Sequence, residues 1–279
     1  MFYQACEESR ICAPRVIASD DSTLIESCVS GLDFAAVRAA SGVGSRAALQ
    51  QWSELDSFCR AFEQLGRDLR RLHARQPSDG RFTYRPTLAS EPTVGSALEL
   101  LAPQYYEIKK SLAAQLSDAQ HRRLVEFLDA HLDPTLPMWA NEEASYVHND
   151  VSDDNIILID DIDINVDVDV DIDIDIHDRD SSAEVANRRR FVLIDFGDAA
   201  FEHRANEFAS LYRLYAGTRV WHWIENGYTN NKGFQPVELQ AIRFFALLRL
   251  TWCFPDVEKD PQRAADDIAF ILTELKFEI

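Results

Sequence analysis

The sequence predicts an α+β fold, mostly helical, with a small β portion at its front. Three observations carry that. Two short β-prone runs flank a turn-rich tetrad near the start. Stripes of apolar residues at helical spacing follow. In the second half, two apolar runs of strand length each abut a cluster of polar side chains. The 279 residues are 46% hydrophobic and 27% charged, enough to bury a core.

The β portion is Arg15–Ala18 and Thr23–Glu26 around Ser19-Asp20-Asp21-Ser22, read as a hairpin. Gly31 punctuates the chain after it. From Trp52 to Ala74, Leu55, Phe58, Phe62, Leu65, Leu69 and Leu72 recur three or four residues apart, one face of a helix, with Ser53 as its expected N-cap. Gln120 to Leu132 repeats the pattern and stops before Pro134. Val237 to Cys253 is a strongly apolar helix, and Asp260-Pro261 opens the last one. Gly42-Val43-Gly44-Ser45 reads as a loop between helices, because no Walker lysine follows it. The five tryptophans are expected in the core or in grooves, Lys109-Lys110 on a solvated face, and His73 at the close of its helix.

The strand-like runs are Asn155–Ile159 and Phe191–Ile194, and between them the composition changes. Residues 160 to 180 hold ten Asp and one Arg, a net charge of −9, with Asp alternating with Ile or Val. Alternation is the strand period, but like charges stacked on one face repel. A solvated acidic insertion over 160–190 is expected. A calcium loop would need a turn Gly and a closing Glu that this stretch lacks.

Lys+Arg 28 against Asp+Glu 47 leaves a net charge of −19. Phosphate backbones need a basic surface, so nucleic acid is excluded, and an anionic membrane is disfavoured. A neutral or cationic small ligand fits better. The longest apolar stretch, Ile242 to Phe254, is too short to span a bilayer, and the start lacks a signal peptide's order. Five scattered cysteines without a Cys-x-x-Cys suggest neither zinc nor disulfides, and a cytoplasmic protein is expected.

Two motifs stand beside the strand runs. His148-Asn149-Asp150-Val151-Ser152-Asp153-Asp154-Asn155 reads H-x-D-x-x-x-x-N, and Asp195-Phe196-Gly197 reads D-F-G. The pair resembles the protein-kinase-like phosphotransferases. The resemblance implies ATP and Mg²⁺ as cofactors. Asp150 would take or orient the proton of the acceptor hydroxyl, and Asn155 and Asp195 would supply oxygens to Mg²⁺ on the ATP phosphates. His148 would be structural, bonded to backbone near Asp195.

Val192–Ala200, reading V-L-I-D-F-G-D-A-A, is similar to the aminoglycoside and macrolide phosphotransferase family and its choline kinase-like members. So are Phe62–His73, a leucine-rich helix ending in Leu-His, and Ala13–Ala18 with the hinge from Glu26 to Gly31. A weaker likeness is to the phosphotransferase-like module attached to JmjC oxygenase domains, whose catalytic loop can read like His148 to Ile156. The family implies adenine on the backbone of Ser27, Cys28 and Val29, and places Asp198 toward the substrate. Its usual Gly-Asp-Pro and Asp-Leu after the D-F-G strand are replaced by Glu202-His203-Arg204 and Glu207-Phe208, where Glu207 keeps a carboxylate that could brace the catalytic loop.

The expected architecture is a kinase-like fold with a remnant β lobe (residues 1–30) and a helical lobe (31–279) carrying the catalytic loop and the insertion. No lysine precedes Lys109, so the strand lysine that pairs with ATP phosphates in the family has no counterpart. The chain is expected to begin inside the β lobe. The implied activity is transfer of the γ-phosphate of ATP to a hydroxyl of an amine-bearing small molecule. The alternative is a catalytically impaired kinase-like binding module, truncated or degenerate, within a larger protein.

Overall fold

A computed structural model of the chain describes residues 11, 13–14, 16–19, 24–26, 28–75, 82–84, 93–95, 118–127, 144–160 and 189–253. Strands β1 (Val16–Ser19), β2 (Leu24–Glu26) and β3 (Leu32–Asp33) lead into helices α1 (Phe34–Ala40) and α2 (Arg46–Gln51). A 3₁₀ turn at Leu55–Phe58 precedes α3 (Cys59–His73). Next come β4 (Phe82–Tyr84), β5 (Thr93–Gly95), α4 (Asp118–Phe127) and β6 (Ser145–Val147). Then follow β7 (Ile156–Asp160), β8 (Arg189–Leu193) and β9 (Ala200–Glu202), and the helices α5 (Phe208–Tyr215), α6 (Arg219–Thr229) and α7 (Pro236–Cys253).

Local chemistry explains the helix ends. Asp33 caps α1 by accepting from Ala36 N–H at 2.6 Å, and Ser45 caps α2 through Ala48 N–H at 3.1 Å. Thr218 caps α6, which stops at Asn230 in the left-handed conformation. The Gly42–Ser45 stretch is the loop between α1 and α2. The helix expected from Trp52 requires correction. Trp52 is buried and extended, closing α2, and the chain re-aims through the 3₁₀ turn, so α3 starts at Cys59 and Ser53 is not its cap. The apolar stripe itself is buried throughout: Leu55, Phe58, Phe62, Leu65, Leu69 and Leu72 are each at most 2% exposed. The apolar helix expected over Val237–Cys253 is present; the end of the helix expected to Leu132 and the helix opening at Asp260-Pro261 lie outside the described residues.

The chain divides into two compact units. The first comprises residues 1–72, 152–196 and 217–233. In it β1 and β2 pair antiparallel, the hairpin expected from sequence, and β3, β7 and β8 form an antiparallel three-stranded sheet. Its core is aromatic. Phe34 meets Phe58, Phe62 and Phe191 edge-on at 5.1–5.4 Å between ring centres, and Phe62 meets Phe191 at 4.8 Å. Helices α3 and α6 cross at two glycines. A Cβ on Gly66 would stand 2.2 Å from the Ile224 carbonyl oxygen, and one on Gly227 would stand 2.0 Å from that of Glu63. Only a missing side chain allows so close an approach.

The β7–β8 ladder runs from Ile156↔Leu193 to Asp160↔Arg189. The acidic stretch, which lies outside the described residues, therefore joins two paired strands at their far end.

The second unit comprises residues 73–151, 197–216 and 234–279. Here β6 pairs with β9 and β4 with β5, all antiparallel. Tyr146 packs edge-on against Phe201 at 5.2 Å, and Phe208 packs on Phe234 at 5.0 Å. His203 stacks on Phe245 of α7 at 5.4 Å.

Candidate active site

Strand β6 delivers His148-Asn149-Asp150 at its end, and its partner β9 begins just after Asp198. The turn after β6 is held from below by one carboxylate. Glu207, 1% exposed, accepts from His148 N–H at 2.6 Å and from Asn149 N–H at 3.1 Å. Those bonds fix Asn149 at φ 74, a left-handed backbone that asparagine tolerates better than most residues. Asn149 Nδ2 donates to the Asp198 carbonyl at 3.3 Å, and its Oδ1 accepts from Asn206 Nδ2 at 2.7 Å. Asn206 Nδ2 also reaches Glu202 Oε2 at 2.6 Å. Asp150 N–H donates to His148 Nδ1 at 3.3 Å, which leaves any ring proton of a neutral His148 on Nε2. The Asp150 side chain, 38% exposed, has Arg249 Nη1 of α7 at 3.5 Å from its Oδ1.

The cluster is electrostatically graded. His73 Nε2 stands 3.5 Å from Glu207 Oε2. Burial pushes the Glu207 acid up, but the bond from His73, the charges of both histidines and the His148 N–H outweigh it and hold it below the usual carboxylate range. Burial lowers the His73 imidazolium against the pull of Glu207. Glu202 is raised by burial to about 7, opposed by Asn206, Asn149 and Arg249.

The two sequence-predicted metal-binding positions, Asn155 and Asp195, lie in the first unit. A 3₁₀ turn at Asp153–Asn155 enters β7, and Ile194 N–H donates to the Asn155 carbonyl at 3.1 Å. Asn155 and Asp195 therefore sit at the same end of the β7–β8 ladder, opposite the acidic stretch. Asp195 is exposed at φ 58, again left-handed. Asp153, buried within the catalytic-loop motif, is ion-paired to Arg38 of α1. An amide oxygen and a carboxylate are hard donors that suit Mg²⁺, which keeps waters and phosphate oxygens as its other ligands. Among the described residues no group of three His, Cys, Asp or Glu side chains forms a protein-only metal cage. Of the hinge positions, Cys28 is an exposed free thiol and Val29 is half-buried, while Ser27 lies outside the described residues.

The structure thus groups His148, Asp150, Asp198 and Glu207 in one unit, and Cys28, Val29, Asn155 and Asp195 in the other. Sequence reasoning gave no site role to Asn149, Glu202, Asn206 and Arg249; it read His73 as a helix end, which it is, without its contact to Glu207.

A model of the phosphotransferase enzyme family designated APH matches residues 2–163, more than half of the chain. The chain belongs to that family. Solved structures show the APH member's fold. The GDP and kanamycin complex of APH(2")-IIIa superposes with a TM-score of 0.58 at 12% identity, covering 99% of this chain and 85% of that one. A choline/ethanolamine kinase family protein from Mesorhizobium loti gives 0.54 at 13%, covering 99% and 77%. The GDP complex of wild-type aminoglycoside 2'-phosphotransferase-IIIa gives 0.54 at 12%, covering 99% and 83%. A search of curated proteins finds no match. The fold of this APH chain is kinase-like, and no helix among its described residues is long and apolar enough to cross a membrane.

Proposed function

We propose that this protein transfers the γ-phosphate of ATP, with Mg²⁺, to a hydroxyl of an amine-bearing small molecule. The observation that carries this reading is the clamp of Glu207 on the two N–H groups preceding Asp150. A buried carboxylate spent on holding a strained turn makes sense where the next side chain must be aimed. Asp150 would accept the acceptor's hydroxyl proton. Asn155 and Asp195 would hold Mg²⁺, which when bound neutralises charge on the phosphates. The backbone of Ser27 to Val29 would receive the adenine, and Asp198 would face the acceptor. Net charge −19 and the kanamycin bound by a relative support an amine-bearing acceptor in a cytoplasmic protein.

The test is phosphate transfer from Mg²⁺–ATP to ethanolamine, choline, glucosamine and kanamycin. Transfer that Asp150→Asn reduces by at least about a hundredfold, with ATP affinity retained, is the expected result. A second reading is a kinase-like binding module. Acceptor or nucleotide binding without any transfer would select it.

A further inference from the structure

Arg249 is an odd neighbour for a catalytic carboxylate. Its side chain is 14% exposed on α7, and its only ion pair among the described residues is the 3.5 Å approach to Asp150. That distance lies at the outer limit of a hydrogen bond. Its Nε is buried with no hydrogen-bond partner among the described residues. A guanidinium carries five donors in a planar fork, and burying them without acceptors is costly. Pairs between partly exposed charges stabilise folds little, so the Asp150 contact alone, with the longer-range pull of buried Glu202, does not account for aiming the guanidinium at Asp150.

We propose that Arg249 is a further catalytic residue, whose guanidinium shifts from Asp150 onto the phosphoryl group in flight. The proposal rests on Asp150 being the group that takes the acceptor's proton. In that reaction the acceptor oxygen bonds to the γ-phosphorus as the bond from phosphorus to the β–γ bridging oxygen breaks. The bridging oxygen leaves with the electron pair on ADP, and the hydroxyl proton passes to the Asp150 carboxylate. The phosphorus is one bond from the oxygen that Asp150 contacts, so a cation beside Asp150 is beside the three equatorial phosphoryl oxygens. Those oxygens carry the transition-state charge, and a planar fork matches them better than a point charge does. Arg249 forms no covalent bond.

The experiment measures kcat and KM for Mg²⁺–ATP with the fastest acceptor of ethanolamine, choline, glucosamine and kanamycin. Arg249→Ala is expected to lower kcat at least about a hundredfold with KM for ATP within about threefold, and millimolar guanidinium should restore part of it. Arg249→Gln, which keeps a donor toward Asp150 without the charge, should lose kcat as much. It serves if the alanine variant does not fold. Wild-type kcat in a folded Arg249→Ala or Arg249→Gln, while Asp150→Asn abolishes transfer, overturns the role of Arg249 and leaves that of Asp150 standing. No transfer by the wild type to any of the four acceptors overturns both.

Discussion

The two units of this protein are stabilised by opposite means. The first closes around interlocking rings, Phe34, Phe58, Phe62 and Phe191, whose contacts are non-directional and tolerate small repacking. The second is built at its functional turn on buried polar groups, His73, Glu207, Asn149, Asn206 and Glu202, each of which requires its partner. Where a chain needs only cohesion, apolar surface suffices. Where a backbone is held at φ 74 just ahead of Asp150, directional bonds replace it.

The contrast breaks most severely at Glu207. Glu207→Ala leaves the N–H groups of His148 and Asn149 buried without their acceptor, and it should cost about 3–5 kcal/mol, read by urea unfolding. Transfer should fall further than the unfolded fraction explains. In the first unit the comparable weak point is an absence of atoms. Gly227→Ala puts a Cβ against the Glu63 carbonyl oxygen, backbone against backbone, so α3 and α6 must separate. A loss of about 3 kcal/mol is expected, with kcat per folded molecule nearly unchanged. Equal losses of kcat from both substitutions would mean that the units are not functionally distinct.

A pH experiment sharpens the comparison, because the first unit has a buried acid, Asp68, whose pKa is raised. Asp68, 4% exposed, is raised by burial to about 6 from 3.8, against Arg71 at 2.9 Å and Gln64 at 2.8 Å. A folded-state pKa above the unfolded one means that the native state binds more protons between the two values. Stability from this group therefore falls as pH rises from about 4 to about 6. The difference in unfolding free energy between wild type and Asp68→Asn should shrink by on the order of 2 kcal/mol between pH 4 and pH 7. No change with pH would mean that Asp68 is already ionised at pH 4.

Much of this was legible in the sequence, for reasons of range. The stripe of α3, the hairpin of β1 and β2, and the strands β7 and β8 are local patterns, and local patterns can be read one window at a time. The two motifs were legible because each is a short contiguous pattern of fixed spacing beside a strand run. Strand β9 was not, since its three residues owe their form to pairing with β6, more than fifty residues earlier. Nor was the polar cluster. Asn149, Asn206 and Glu202 share no period, and only the fold brings them together. His73 does close α3, as its position suggested, but nothing near it in sequence reveals that it also meets Glu207.

The smallest expected effect concerns the acidic stretch. Deleting Asp161 to Asp180 should move the thermal midpoint by less than about 2 °C, because the ladder closes at Asp160 and Arg189 without it. A larger drop would mean that those residues contribute to one unit's core.

The β7–β8 hairpin also has a meaning for how such a chain can change. Its two ends answer to different constraints. One carries Asn155 and Asp195, the proposed Mg²⁺ ligands, where a shift of an ångström would matter if that proposal holds. The other, about 15 Å away along five-residue strands, is a closed pair whose connection can grow cheaply, each doubling of length costing only about 0.6 kcal/mol of closure entropy. A ladder of this kind works as a mechanical buffer. It lets a lineage lengthen, recharge or replace a whole segment at one end while the residues at the other keep their places, and it marks residues 161–188 as the position at which a reporter or a second module could be spliced into this protein.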